Sequence, residues 1–369
     1  MTVRPLGRWV LVLTVTLCAG SATKAQRDQK GPTLAGIHII RSAVYSPDGN
    51  FLLVDEVPND LGLWEIKTGL LRVRLEQKIP RPWDCIAISP DGKRAAAIAM
   101  YFGGAPVAKM GRDLAVWDLA TGKVVEEQTL PEWKKGKGPP FLKFSTDGAF
   151  LYSIWDNRIL EVKLGGKNRI LAHKLDPWFS DAGVWAAFDP KAKLLILARN
   201  NAGKPGAQLG FIPVAEDAEP HTVPLTSQFL SLALSPDGKT LALSYDGRWD
   251  TGKRQIELWD VATFKLRTTL PVYTRKEFQG YNQMFFAPDG KTLVGVPFFT
   301  DRSIIRSITR SMLEVLDLQG KIRQKIWGDY VLVAFSPDGK TLAVNTGSGH
   351  LRFIHPTTGE TKNLVGREK

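Results

Sequence analysis

Apolar and polar residues alternate in short runs along most of the chain, and helical periodicity is almost absent. Runs such as "LGLWEI" (61–66), "LAVWDL" (114–119), "IELWDV" (256–261) and "LEVLDL" (313–318) turn every second side chain to one face, as strands with a buried side do. A corner recurs between such runs: "SPDG" at 46–49, 89–92, 235–238 and 336–339, with the variants "STDG" (145–148), "DPKA" (189–192) and "APDG" (287–290). Proline pre-sets the first central residue of a type I turn, the aspartate can bond back to nearby amides, and glycine accepts the left-handed conformation that closes a bulged hairpin. The corner aspartates are therefore read as hairpin residues rather than catalytic carboxylates. "DPKA" has alanine where the others have glycine, and a left-handed alanine costs about 1–2 kcal/mol, so a different turn is expected there.

The seven corners sit at Pro47, Pro90, Thr146, Pro190, Pro236, Pro288 and Pro337, spaced 43 to 56 residues apart. That spacing includes the length of a four-stranded propeller blade. Each unit reads strand, corner, strand, loop, strand, turn, strand. No such sheet buries a core alone, whereas seven packed radially do. The expectation is an all-β protein, a seven-bladed β-propeller of four-stranded antiparallel blades over residues 39–366, with all corners on one face. "TKNLVG" (361–366) supplies a fourth strand for the last blade, and residues 26–38 are a lead-in that can also add a strand.

The text that follows each corner by about twenty residues resembles the WD-repeat (WD40-type) family. Trp117-Asp118 and Trp259-Asp260 stand where that family's Trp-Asp pair ends the third strand, and Trp64-Glu65 and Leu316-Asp317 approximate it. The Gly-His pair that members often carry before the first strand is absent from every unit, and Pro213 takes the acid position in the fourth. The resemblance covers residues 39–366 and implies a propeller of the exported, bacterial type once the N-terminus is considered.

Residues 1–25 read as a signal peptide: Arg4 and Arg8, an apolar stretch over 9–19, and small residues that allow cleavage after Ala22 or Ala25. The chain is thus expected to be exported, periplasmic or secreted, and to meet a membrane only if this segment stays uncleaved. Cleavage after Ala25 removes Arg4, Arg8 and Lys24 and takes the formal charge from +12 to +9. It also leaves Cys85 as the single cysteine, so no internal disulfide is expected, and Cys85 reads as a small hydrophobe.

Candidate chemistry is sparse. The five histidines (38, 173, 221, 350 and 355) fall in different repeats or on opposite faces of a strand, and no zinc spacing, phosphate loop or nucleophile elbow appears. No catalytic residue, metal site or cofactor is assigned. Two readings remain: a non-catalytic binding or scaffold module, and an exported propeller enzyme of lactonase, hydrolase or quinone-dependent dehydrogenase type with its site at the central channel. Export disfavours nucleic acid as a partner, and a monomer is expected.

For the binding reading, the loops opposite the corners are the longest and carry the basic residues: 101–113, 132–140, 245–255 and 297–312. Seven residues before the corner prolines stand Trp83, Phe229, Tyr281 and Tyr330, at the entrances to the first strands, where they are expected to encircle the channel mouth. These four are the expected anchors, with Arg248, Lys253, Arg254, Arg302, Arg306 and Arg310 steering a protein or an anionic glycan onto that face.

Overall fold

A computed structural model describes residues 39–57, 60–77, 83–99, 112–130, 141–155, 158–166, 168–174, 184–201, 206–215, 219–247, 255–271, 278–299, 312–328, 330–346 and 351–361. These residues form seven antiparallel sheets, each made from strands consecutive in sequence. Six sheets have four strands. The seventh has three described strands, and its outer strand meets Thr361 through a single bridge from Ile354. Residues 362–366, expected to continue that fourth strand, lie outside the described residues, as does the lead-in 26–38.

The first strand of each blade lies nearest the axis, because first strands touch first strands around the ring. They are Ile39–Tyr45, Trp83–Ile88, Lys143–Phe144, Val184–Asp189, Phe229–Leu234, Phe278–Phe286 and Tyr330–Phe335. Core lies between blades and not inside them. Leu53, Leu61 and Leu63 of blade 1, for example, pack with Trp83, Ile86, Ala95, Ala97 and Trp117 of blade 2. A sheet covered on both faces explains why second strands such as Arg94–Ala99 and Thr240–Tyr245 are buried almost throughout, whereas the outermost Leu70–Arg74 and Val124–Leu130 alternate.

The corners are built as their sequence suggests. In five of them the serine hydroxyl donates to the aspartate two residues on and accepts from the amide five residues on, as in Ser46–Asp48–Phe51 and Ser235–Asp237–Thr240. The fourth corner does use another turn. Asp189 accepts from the Lys191 amide, and the left-handed residue is Lys193 (φ 49°), one place beyond the position of the other corners' glycine.

All the corners meet on one face. A β-carbon added at Gly92, Gly148, Gly290 or Gly339 would touch Pro47, Pro90, Pro236 or Pro288 of the preceding blade at 3.5–3.9 Å, and one at Gly238 would collide with Asp189. Across the seam between last and first blades, Gly49 stands in the same relation to Pro337, at 3.4 Å. The ring closes by packing: Ile40, Tyr45, Leu52 and Trp64 of blade 1 bury against Ala343, Leu351 and Phe353 of blade 7, and Asn345 Nδ2 donates to the Ile40 carbonyl at 2.8 Å.

Candidate functional site

The face opposite the corners carries the entrances to the first strands and the connections between second and third strands. In blades 2, 5 and 6 those connections leave after Ala99, Tyr245 and Phe299 and return at Arg112, Gln255 and Met312. Antiparallel pairing of the flanking strands delivers all three to this face. The steering residues Arg248, Lys253, Arg254, Arg302, Arg306 and Arg310 belong to these connections and lie outside the described residues.

The four aromatics require a correction. Trp83, Phe229, Tyr281 and Tyr330 form one rank near this face, but they are 2%, 0%, 0% and 5% exposed and fill the clefts between blades. The physical reason is a bulge. Register shifts fall between Trp83 and Cys85, Phe229 and Ser231, Tyr281 and Gln283, and Tyr330 and Leu332. One extra residue inverts the alternation, so each ring turns towards the preceding blade. Ile40 occupies the same place in blade 1, beside the shift between Ile40 and Ser42.

The rank is tied down by hydrogen bonds and ring contacts. Trp83 meets Trp117 edge-on at 5.2 Å and donates from Nε1 to Gln77; Phe229 meets Trp185 at 4.8 Å. The Tyr281 hydroxyl donates to Glu314, and the Tyr330 hydroxyl to the Trp327 carbonyl. Polar residues late in second strands hold the next blade's backbone: Asn200 both accepts from the Phe229 amide and donates to its carbonyl, and Ser244 accepts from the Tyr281 amide. The aromatics thus pack the entrances of the first strands against the preceding blades.

The acidic groups are likewise engaged in structure. Asp55 is fully buried, and burial raises its carboxyl above the ordinary aspartate range against the pull of Arg41, which binds it through two nitrogens at 2.8 and 2.9 Å. Glu56 is also raised by burial, opposed by the Trp64 indole bond. Glu257 accepts from Tyr245 and Trp259, and Asp118 and Asp260 cap the turns after the third strand. His221 stacks on Phe264 at 4.2 Å, and His355 Nδ1 faces the amides of Thr357 and Thr358. Among the described residues no three of His, Cys, Asp and Glu stand together as a metal set.

Two features escaped the sequence reading. Asp55 and Glu257 interrupt otherwise apolar runs, and an acid in such a run signals a buried network. Lys143 replaces an apolar residue on an innermost strand, visible only once the seven first strands are aligned. On the corner face, a shallow cavity of about 220 Å³ opens at the seam between blades 1 and 7, lined by polar groups including Tyr45, Asp48, Asn50, Ser336 and Asp338. Its carboxylates make it a poor match for an anion.

No family model matches the chain, and no curated protein matches it either. Among solved structures 1244 chains match, so the architecture is too common to name an activity. One is the β-propeller domain of Cps50 (Swd1) from Myceliophteria thermophila, 12% identical, with a TM-score of 0.64 over 88% of this chain and 99% of that one. At that identity the likeness carries the fold, in agreement with the blade-by-blade topology: this chain is a seven-bladed β-propeller.

Proposed function

We propose that the protein is an exported, non-catalytic binding module of the WD-repeat type, which takes an acidic protein segment or an anionic glycan on the face opposite the corners. The observation that carries this reading is the shared destination of the long basic connections. Three second-to-third-strand loops, bearing Arg248, Lys253, Arg254, Arg302, Arg306 and Arg310, spring from strand ends on one side of a rigid ring. The segment 131–140, with Lys134, Lys135 and Lys137, joins the outer strand of blade 2 to the inner strand of blade 3 on that side. Solvated cations act by long-range steering, and each adds little affinity.

Buried aromatics change how such a surface works. With Trp83, Phe229, Tyr281 and Tyr330 enclosed, contact falls to the loops, and binding depends more on charge than on apolar anchoring. The test uses heparin and polyglutamate as model polyanions at rising salt. Affinity should fall steeply with ionic strength, and replacing Arg302, Arg306 and Arg310 together by Ala should slow association severalfold at unchanged melting temperature. Salt-independent binding, or binding unaffected by that triple change, overturns the reading. N-terminal sequencing of the exported protein tests cleavage after Ala22 or Ala25.

A further inference from the structure

The repeat carries its own template for a ligand on the corner face. In five blades a lysine follows the four corner residues: Lys93, Lys193, Lys239, Lys291 and Lys340. Blade 1 has Asn50 in that place. The seam between blades 3 and 4 shows what such a lysine can do. Lys193 of blade 4 reaches back over the Phe150 ring of blade 3, 5.9 Å from its centroid, and its charge adds to the Ser145 hydroxyl and the Ala149 amide in holding the Asp147 carboxyl low. Blade 7 has Thr341 and Asp338 where blade 3 has Phe150 and Asp147, and the lysine that would reach back to them from blade 1 is missing.

In its place is the cavity of about 220 Å³ between blades 7 and 1, bordered by Asn50, Thr341 and Asp338 together with Tyr45, Asp48 and Ile66. The Asn50 side chain folds back onto its own Asp48 at 2.8 Å rather than across the seam. Thr341 is 8% exposed, and its backbone is bonded to Ser336, whereas its hydroxyl makes no hydrogen bond among the described residues. An enclosed hydroxyl without a partner costs free energy that a ligand recovers by bonding it. Two carboxylates border the cavity, and the exposed Lys340 ammonium lies 4.0 Å from Asp338, at the limit of an ion pair.

We propose that this cavity binds a primary alkylammonium, the end group of a lysine side chain or of a free amine, which takes the place of the lysine that blade 1 lacks. Its three N–H groups find acceptors in Asp48, Asp338 and the Thr341 hydroxyl, and its apolar stem lies against Ile66 and the Tyr45 ring. The site is on the corner face, so it does not rest on the basic loops opposite or on the reading of them as an anion surface.

Titration of the whole isotope-labelled protein with butylamine in about 0.15 M salt, followed through amide chemical shifts, tests the proposal. Butylamine should saturate a single site, with the largest shifts at Asn50, Asp338 and Thr341. A dissociation constant of about 1–10 mM is expected, because exposed charge pairs give little affinity. Neutral butanol should not bind. Asn50→Lys gives blade 1 the residue that its sister corners carry, and should weaken butylamine at least about tenfold while the melting temperature holds or rises. Lys340→Ala removes the competing ammonium and should tighten binding severalfold. Nα-acetyl-lysine methylamide and putrescine separate the sources: tighter binding of the first assigns the cavity to a protein side chain, and of the second to a free polyamine. Shifts spread over all the corners, equal binding of butanol, unchanged binding in Asn50→Lys, or absence of saturation would each overturn the proposal.

Discussion

Six corner aspartates serve hairpins, and the consequence appears in acid. At Asp91, Asp147 and Asp237 a serine hydroxyl first, and a backbone amide second, hold the carboxyl below its ordinary range; Arg267 and Thr263 bring Asp260 to about 2. A carboxyl depressed in the folded state favours folding above its unfolded pKa, near 3.9, and that contribution is lost as pH falls through the folded value. Stability should therefore decline between about pH 4 and pH 2. Asp91→Asn with Asp237→Asn should lower the melting temperature by a few degrees at pH 7 and flatten its decline in that acid window. Melting curves from pH 7 to 2 check this, and an unchanged slope would detach the corners from acid stability. The corner serine, aspartate and glycine were legible in the sequence because they act within six residues of one another. Lys193 at the fourth corner was not, since the choice of which residue becomes left-handed depends on the strand pairing from Asp189 to Leu194.

Strands were legible for a related reason: a period of two survives wherever one face is covered. The bulge was not. Nothing in "WDCIAIS" or "YNQMFFA" marks the extra residue, which shows only in the pairing with the second strand. One residue of slip exchanges the two faces of a strand, so four aromatics placed at the rim by their position in the repeat become core by register. Their substitution should accordingly be felt in stability. Phe229→Ala removes a fully buried ring between blades 4 and 5 and should cost about 3–5 kcal/mol, read from urea unfolding. A loss under 1 kcal/mol would mean that the ring is not packed as described. The basic loops lay open to the sequence as composition, but composition does not set side-chain positions.

The number of blades was legible at the scale of the whole molecule, because each corner is a countable word. Closure was not, as it rests on contacts between residues about 300 positions apart. Asn345→Ala would leave the buried Ile40 carbonyl without its donor and should destabilise by about 1–3 kcal/mol. Amide exchange should quicken in 39–45 and 342–346 before blade 4 responds, and uniform quickening would show that the seam is no weaker than other boundaries. Five corner glycines rest on the proline of the corner before them, Gly238 rests on Asp189, and Gly49 on Pro337 carries the relation across the seam from the last blade to the first. A linear array of repeats melts inward from its two ends, which have one neighbour each. Here every blade has two, so fraying has nowhere to begin: the molecule behaves as a hoop, whose first break costs the most and makes each later one easier.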